Sequence, residues 1–272
     1  MKTYSSYDLF VKDVQTHLEQ YNEWGVGDFK GHPKKHIAKL SGKTQSDIIN
    51  DIILSDNVDP DLFVSPQQFA HHLNSSQIVC YEFFRPMLSP DKEKTITSSM
   101  LKCLNKMGLP FNEFNGGHAE FEWIPDSEEN TNFDFYISGQ NQLKRIYFEI
   151  KYTERYFGNC KDDDNHRNKF ESIYSEMIDN CACLSKKPSV EEFKRNYQLF
   201  RNALRVTHAN WQNEYVIFLF PRENCSALNH YNAFVNEFLD KDYLCHVKSV
   251  FWENLIDFMS DRFREKFFFY TI

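Results

Sequence analysis

Residues 132–153 read NFDFYISGQNQLKRIYFEIKYT, and this stretch decides the fold. Phe133, Phe135 and Ile137 alternate with Asp134, Tyr136 and Ser138. After the turn-forming GQNQ, Ile146, Phe148 and Ile150 alternate with Tyr147, Glu149 and Lys151. A period of two on each side of a polar turn predicts two antiparallel strands. Centring the hairpin between Asn141 and Gln142 sets Asp134 opposite Glu149 and Tyr136 opposite Tyr147, with Tyr147, Glu149 and Lys151 on one, polar, face. Upstream, residues 118–124 alternate as well, and the turn PDSEEN (125–130) separates them from the hairpin. Centring that turn near Glu128 brings Glu122 beside Asp134 and Trp123 against Phe133, which makes a three-stranded meander.

Outward from the meander the apolar period is near 3.6. On the N-terminal side it predicts helices over residues 4–22, 47–54, 67–88 and 94–107, with Pro86 and Gly108 as stop signals. On the C-terminal side helices are expected over 169–181, 190–208, 227–239 and 253–263, with strands at 215–220 and 246–251. Strands flanked by helices imply an α/β/α sandwich with a mixed central sheet. Residues 1–66 are expected to form a helical extension and residues 67–272 the main domain.

Apolar residues make up 41% of the 272 and charged residues 26%, which fits a globular chain and not a disordered, collagen-like or coiled-coil one. The net charge of −8 argues against a protein that coats nucleic acid by bulk attraction. Two local basic segments stand against that background: residues 28–43, with five lysines and one aspartate, and residues 194–208, with Lys194, Arg195, Arg201 and Arg205 and no acid. Seven cysteines without a C-x-x-C pair suit a reducing cytoplasm. Without a long apolar run or an apolar leader, the expectation is a cytoplasmic protein with no membrane association.

The meander gathers Glu122, Asp134, Glu149 and Lys151 on one patch. Like charges opposite one another on a sheet cost roughly 0.2–1 kcal/mol per pair, so something should compensate. Lys151 offsets one charge, and the remainder suits one or two hard divalent cations held by carboxylate oxygens. Such a site binds a phosphate ester and activates water for in-line attack, which is phosphodiester hydrolysis. The same spacing also fits a solvated sheet face with an incidental lysine.

The runs TNFDFYIS (131–138) and RIYFEIKYTE (145–154), with HHLNSSQIVCYEFFRPM (71–87), AEFEW (119–123) and FPREN (220–224), resemble the PD-(D/E)xK nuclease superfamily in its bacterial restriction-endonuclease-like branch. The resemblance spans about residues 67–225, with Phe at position 133 where the superfamily name has Pro. It implies a restriction-endonuclease-like fold, Asp134 and Glu149 as metal ligands and Lys151 as the catalytic lysine. Glu122 is the further candidate ligand and Mg²⁺ or Mn²⁺ the expected cofactor. The implied activity is cleavage of DNA in restriction or defence, and cutting both strands makes a homodimer plausible.

Three further groups are candidates. Ser76 and Gln77, with Ser75, start a helix or touch substrate backbone. Gln198, Arg201 and Arg205 share a helical face by spacing and could contact phosphate. Glu82 is a helix-borne acid that could reach the site. Two alternatives to a DNA endonuclease stay open: a non-catalytic nucleic-acid-binding or interaction module with the same fold, and a metal-dependent hydrolase of RNA or nucleotides.

Overall fold

The computed structural model describes residues 2–21, 26–29, 32–38, 74–90, 94–125, 129, 132–160 and 163–272. Its centre is a five-stranded sheet in the order β3-β4-β5-β6-β7, formed by β3 (His118–Trp123), β4 (Phe133–Ser138), β5 (Arg145–Ile150), β6 (Glu214–Phe220) and β7 (Val247–Phe251). Short connections make β3, β4 and β5 antiparallel, whereas the long helical crossovers that follow leave β5, β6 and β7 parallel. The expected mixed α/β/α sandwich is therefore present.

The registers inferred from the turn centres hold. Phe135 pairs with Phe148 and Tyr136 with Tyr147, and on the other side of β4 Trp123 pairs with Phe133. Two departures lie beside the acidic residues. Glu122 takes φ 53°, a left-handed conformation that interrupts β3. The backbone pairing of β4 with β5 stops at Phe135, and beyond it the Asp134 side chain replaces the ladder: Asp134 Oδ2 accepts a hydrogen bond from the Ile150 amide at 2.6 Å.

Helices cover both sheet faces. On one lie α1 (Tyr7–Tyr21), α2 (Ser76–Phe84), α3 (Ser98–Lys106) and α9 (Asp261–Phe267), packed on Phe135, Ile137, Ile146, Phe148 and Ile150. Helix α2 is buried almost all round, and it ends where Pro86 enters a 3₁₀ turn, Arg85–Met87. On the other face α4 (Asp164–Lys169), α5 (Ser175–Asn180), α6 (Val190–Arg195), α7 (Tyr197–Ala203) and α8 (Cys225–Phe238) follow in chain order. Residues from α5 to α8 pack there on Phe133, Tyr136, Tyr147, Val216 and Phe218. The face read as polar is thus a covered one, which removes the alternative of a solvated sheet face. Parallel strands place their crossover helices against the sheet, so Tyr147 and Glu149 are buried beneath them.

Several helices differ from the periodic reading. The segment 190–208 is two helices, because Asn196 leaves helical geometry at φ −112°, ψ 31°, with its side-chain amide donating to the Glu192 carbonyl. The last helix begins at Asp261 and not at 253, since Ser260 caps it by accepting from the Phe263 amide. Residues 252–258 form a 3₁₀ segment instead. Within the extension expected to be helical, β1 (Val26–Phe29) and β2 (His32–Ala38) form an antiparallel hairpin, and α1 joins the main core through Phe10, Val14 and Leu18. The helix expected over 47–54 and residues 67–73 of the next one lie outside the described residues. No helix among those described is long and apolar enough to cross a membrane.

Phe84 joins α2 to the sheet: its ring stacks on Phe135 at 4.3 Å and meets Phe148 at 5.3 Å, all three fully buried. Phe84→Ala should cost about 3–5 kcal/mol, read as a lowered denaturation midpoint.

Candidate active site

Each functional side chain comes from the end of an element. Asp134 lies where β4 begins and Glu149 where β5 ends. Lys151 follows β5, its backbone fixed by an N–H donated to the Leu219 carbonyl at 2.9 Å. Helix α7 crosses above and supplies Gln198, Arg201 and Asn202, and the start of α2 supplies Ser75 and Ser76. Asp134, Glu149, Lys151, Gln198, Arg201 and Ser76 all line one cavity of about 740 Å³.

Glu149 is the best-held group in it. Its Oε1 accepts from Lys151 Nζ at 2.7 Å, and its Oε2 accepts from Asn202 Nδ2 at 2.8 Å and Arg201 Nη2 at 3.1 Å. Arg201 is tied down in turn, donating to the Asn132 carbonyl and to Asn202 Oδ1, both at 3.1 Å. Burial opposes ionisation of Glu149, but the ammonium of Lys151 and the guanidinium of Arg201 outweigh it and hold the carboxyl below its usual range. Burial likewise opposes the charge on Lys151, yet Glu149 and Asp134 raise it well above the ordinary lysine value. Asp134 is the outlier: burial first, and then the Glu149 charge, push its carboxyl well above the usual range. One carboxylate is therefore fully compensated and its neighbour is short of positive charge.

The other candidates divide. Ser76 and Gln198 line the cavity, Gln198 accepting from the Gly158 amide at 2.5 Å. Arg201 lines it too, but as a buried partner of Glu149 and not as an open phosphate-binding cation. Gln77 is buried and does not line the cavity. Arg205 does not share a face with Gln198 and Arg201, because α7 ends at Ala203; it turns to Glu129, with which it forms an ion pair. Glu82 pairs with Lys266 on α9 at 2.7 Å. Glu122 does not line the cavity and accepts a hydrogen bond from Asn132, although its charge still acts on Asp134. The kink at φ 53° separates it from the patch expected of three carboxylates, and among the described residues no three His, Cys, Asp or Glu side chains form a metal-ligating group.

Asn202 is a site residue that the reading of basic residues missed. It is fully buried and, four residues from Gln198, lies on the same helical face as Gln198 and Arg201, so the spacing alone could have included it; as an uncharged side chain it is passed over by a search for phosphate-binding cations. The N-terminal helix also reaches the site: the Tyr7 hydroxyl donates to the Thr153 carbonyl at 2.6 Å, and Asn74 Nδ2 donates to Thr153 Oγ1 at 2.6 Å, with Asn74 and Thr153 on the cavity wall.

A family profile described as restriction endonuclease associating with ARP matches residues 53–267. The chain belongs to this restriction-endonuclease family. No curated protein and no solved structure matches it.

The two carboxylates should respond oppositely to neutralisation. In metal-free protein, Asp134 binds its proton more tightly folded than unfolded. Its contribution is complete below the ordinary carboxyl range and is lost as pH rises through the raised value. Asp134→Asn should therefore flatten the decline of melting temperature in EDTA as pH rises above the ordinary carboxyl range, and be the more stable protein at the upper end. Glu149→Ala, which strands Lys151 and Arg201, should cost about 3–5 kcal/mol at neutral pH. Thermal melts across that rise in pH check both, and parallel profiles for Asp134→Asn and wild type would contradict the assigned environment of Asp134.

Proposed function

We propose that this restriction-endonuclease family member is a divalent-metal-dependent endonuclease of PD-(D/E)xK type that hydrolyses DNA phosphodiester bonds in restriction or defence. The observation that carries this is the shared cavity of Asp134, Glu149 and Lys151, in which one carboxyl is driven out of its normal range by burial and by the charge of its neighbour Glu149. The donor set fits a hard cation: Asp134 and Glu149 would hold Mg²⁺ or Mn²⁺, which relieves their repulsion. Glu122 is not needed for this. When bound, the ion supplies Lewis-acid polarisation of the phosphate and a more acidic water.

The protein's own groups do the rest. Lys151, held fully protonated by the two carboxylates, is suited to steady negative charge on the phosphate and not to accept a proton. Arg201 and Asn202 orient Glu149 from behind. Gln198 is anchored to the Gly158 amide and Ser76 opens the opposite wall, so both can face the nucleic-acid backbone. A homodimer would supply a second site for the other strand. The non-catalytic alternative is favoured by one observation: both Glu149 oxygens are already satisfied by protein donors, as a purely structural buried charge would be.

Incubation of plasmid with the purified chain separates the two. Nicking is expected with Mg²⁺ or Mn²⁺ and none with EDTA, and Lys151→Ala should lower the rate by about 10²-fold or more while Mg²⁺ still raises its melting temperature. Equal cleavage by wild type and Lys151→Ala, or no metal-dependent nicking at all, would leave the cluster as scaffold.

A further inference from the structure

Beyond Tyr147 on the same sheet face lies a second cavity, of about 680 Å³, that the cleavage site does not use. One wall is aromatic: the Trp123 and Tyr136 rings stack at 3.9 Å and 10°, with Tyr147 at 5.9 Å from Trp123. Arg205 lines the same cavity, and its guanidinium pairs with the buried Glu129 through Nη2. Arg205 Nε is buried and has no hydrogen-bond partner among the described residues. A buried donor left unmade costs about 1–3 kcal/mol, so an acceptor arriving in this cavity would recover that cost.

The two cavities share a wall. The Phe133 ring lies under both Arg201, at 5.7 Å, and Arg205, at 5.5 Å, and these arginines line the first and second cavity respectively. Tyr147 and Glu149 are two residues apart on β5, about 7 Å along the strand. A nucleic-acid strand whose phosphate sits at Glu149 therefore has the second cavity within reach.

We propose that the Trp123–Arg205 cavity is a nucleobase site, in which a planar base stacks against Trp123 and accepts a hydrogen bond from Arg205 Nε. Aromatic stacking accepts any base, because each has a π-face. Arg205 adds selectivity, since only a base that presents a ring nitrogen or carbonyl oxygen at that point satisfies it. In taking the base to belong to the cleaved strand, the assignment rests on the nuclease reading; binding of the base itself does not.

The test uses the full chain in EDTA, titrated calorimetrically with each of the four deoxynucleosides, which carry no phosphate and so have no hold on the first cavity. At least one should bind saturably at millimolar concentration. Its affinity should fall tenfold or more in Trp123→Leu and in Arg205→Lys, which keeps the charge opposite Glu129 while removing Nε, and should be unchanged in Lys151→Ala. Circular dichroism confirms that each variant is folded. Absence of binding to wild type, or equal affinity in the folded Arg205→Lys protein, overturns the nucleobase site while metal-dependent nicking stands. Nucleoside binding without nicking keeps the site and removes the cleavage reading.

Discussion

The buried charge of Glu149 is the constraint around which this side of the molecule is arranged. A carboxylate that is 2% exposed survives in a protein interior only if its oxygens are matched by donors. Here Lys151 comes from the same strand end and Arg201 and Asn202 from α7. That requirement fixes how α7 lies across the sheet. The neighbouring Asp134 lacks comparable support and spends one oxygen on the Ile150 amide. Positive charge is abundant around one carboxylate and short around the other, an asymmetry that the proposed divalent cation would relieve.

The rest of the fold keeps that arrangement stiff. The opposite face of β4 and β5 is fully apolar, and Phe135, Phe148 and Phe84 clamp it to α2. Helix α2 also begins at the cavity, so the burial that holds it against the sheet positions Ser75 and Ser76. Hydrogen bonds from Tyr7 and Asn74 to Thr153 tie the N-terminal helix and the start of α2 to the loop after Lys151. Three parts of the chain far apart in sequence thus meet at one rim.

Local pattern was a good guide where local forces decide. The period of two in 132–153 and the turn composition at 139–142 fixed strand pairing, because a one-residue slip would turn every apolar side chain to the wrong face. Asp134, Glu149 and Lys151 could therefore be grouped before any coordinate was known. Glu122 could not: its register with Asp134 is as expected, but the left-handed backbone at that residue diverts it, and no side-chain pattern announces such a kink. Arg205 misled for a related reason, since its spacing from Arg201 is helical and the helix stops two residues before it.

What the sequence by itself determined is the central meander, its registers, the grouping of the acid pair with the lysine, and the layered α/β class, because alternation and turn chemistry act between neighbours in the chain. Only the tertiary structure decided that the supposedly polar face is covered and that Arg201 serves Glu149. It alone brought Asn202 into the site and opened a second, aromatic cavity behind Phe133. These depend on which distant segment fills the space above a strand, and that is settled by the packing of whole helices, in which a buried charge takes whatever donors the closest packing brings within about 3 Å.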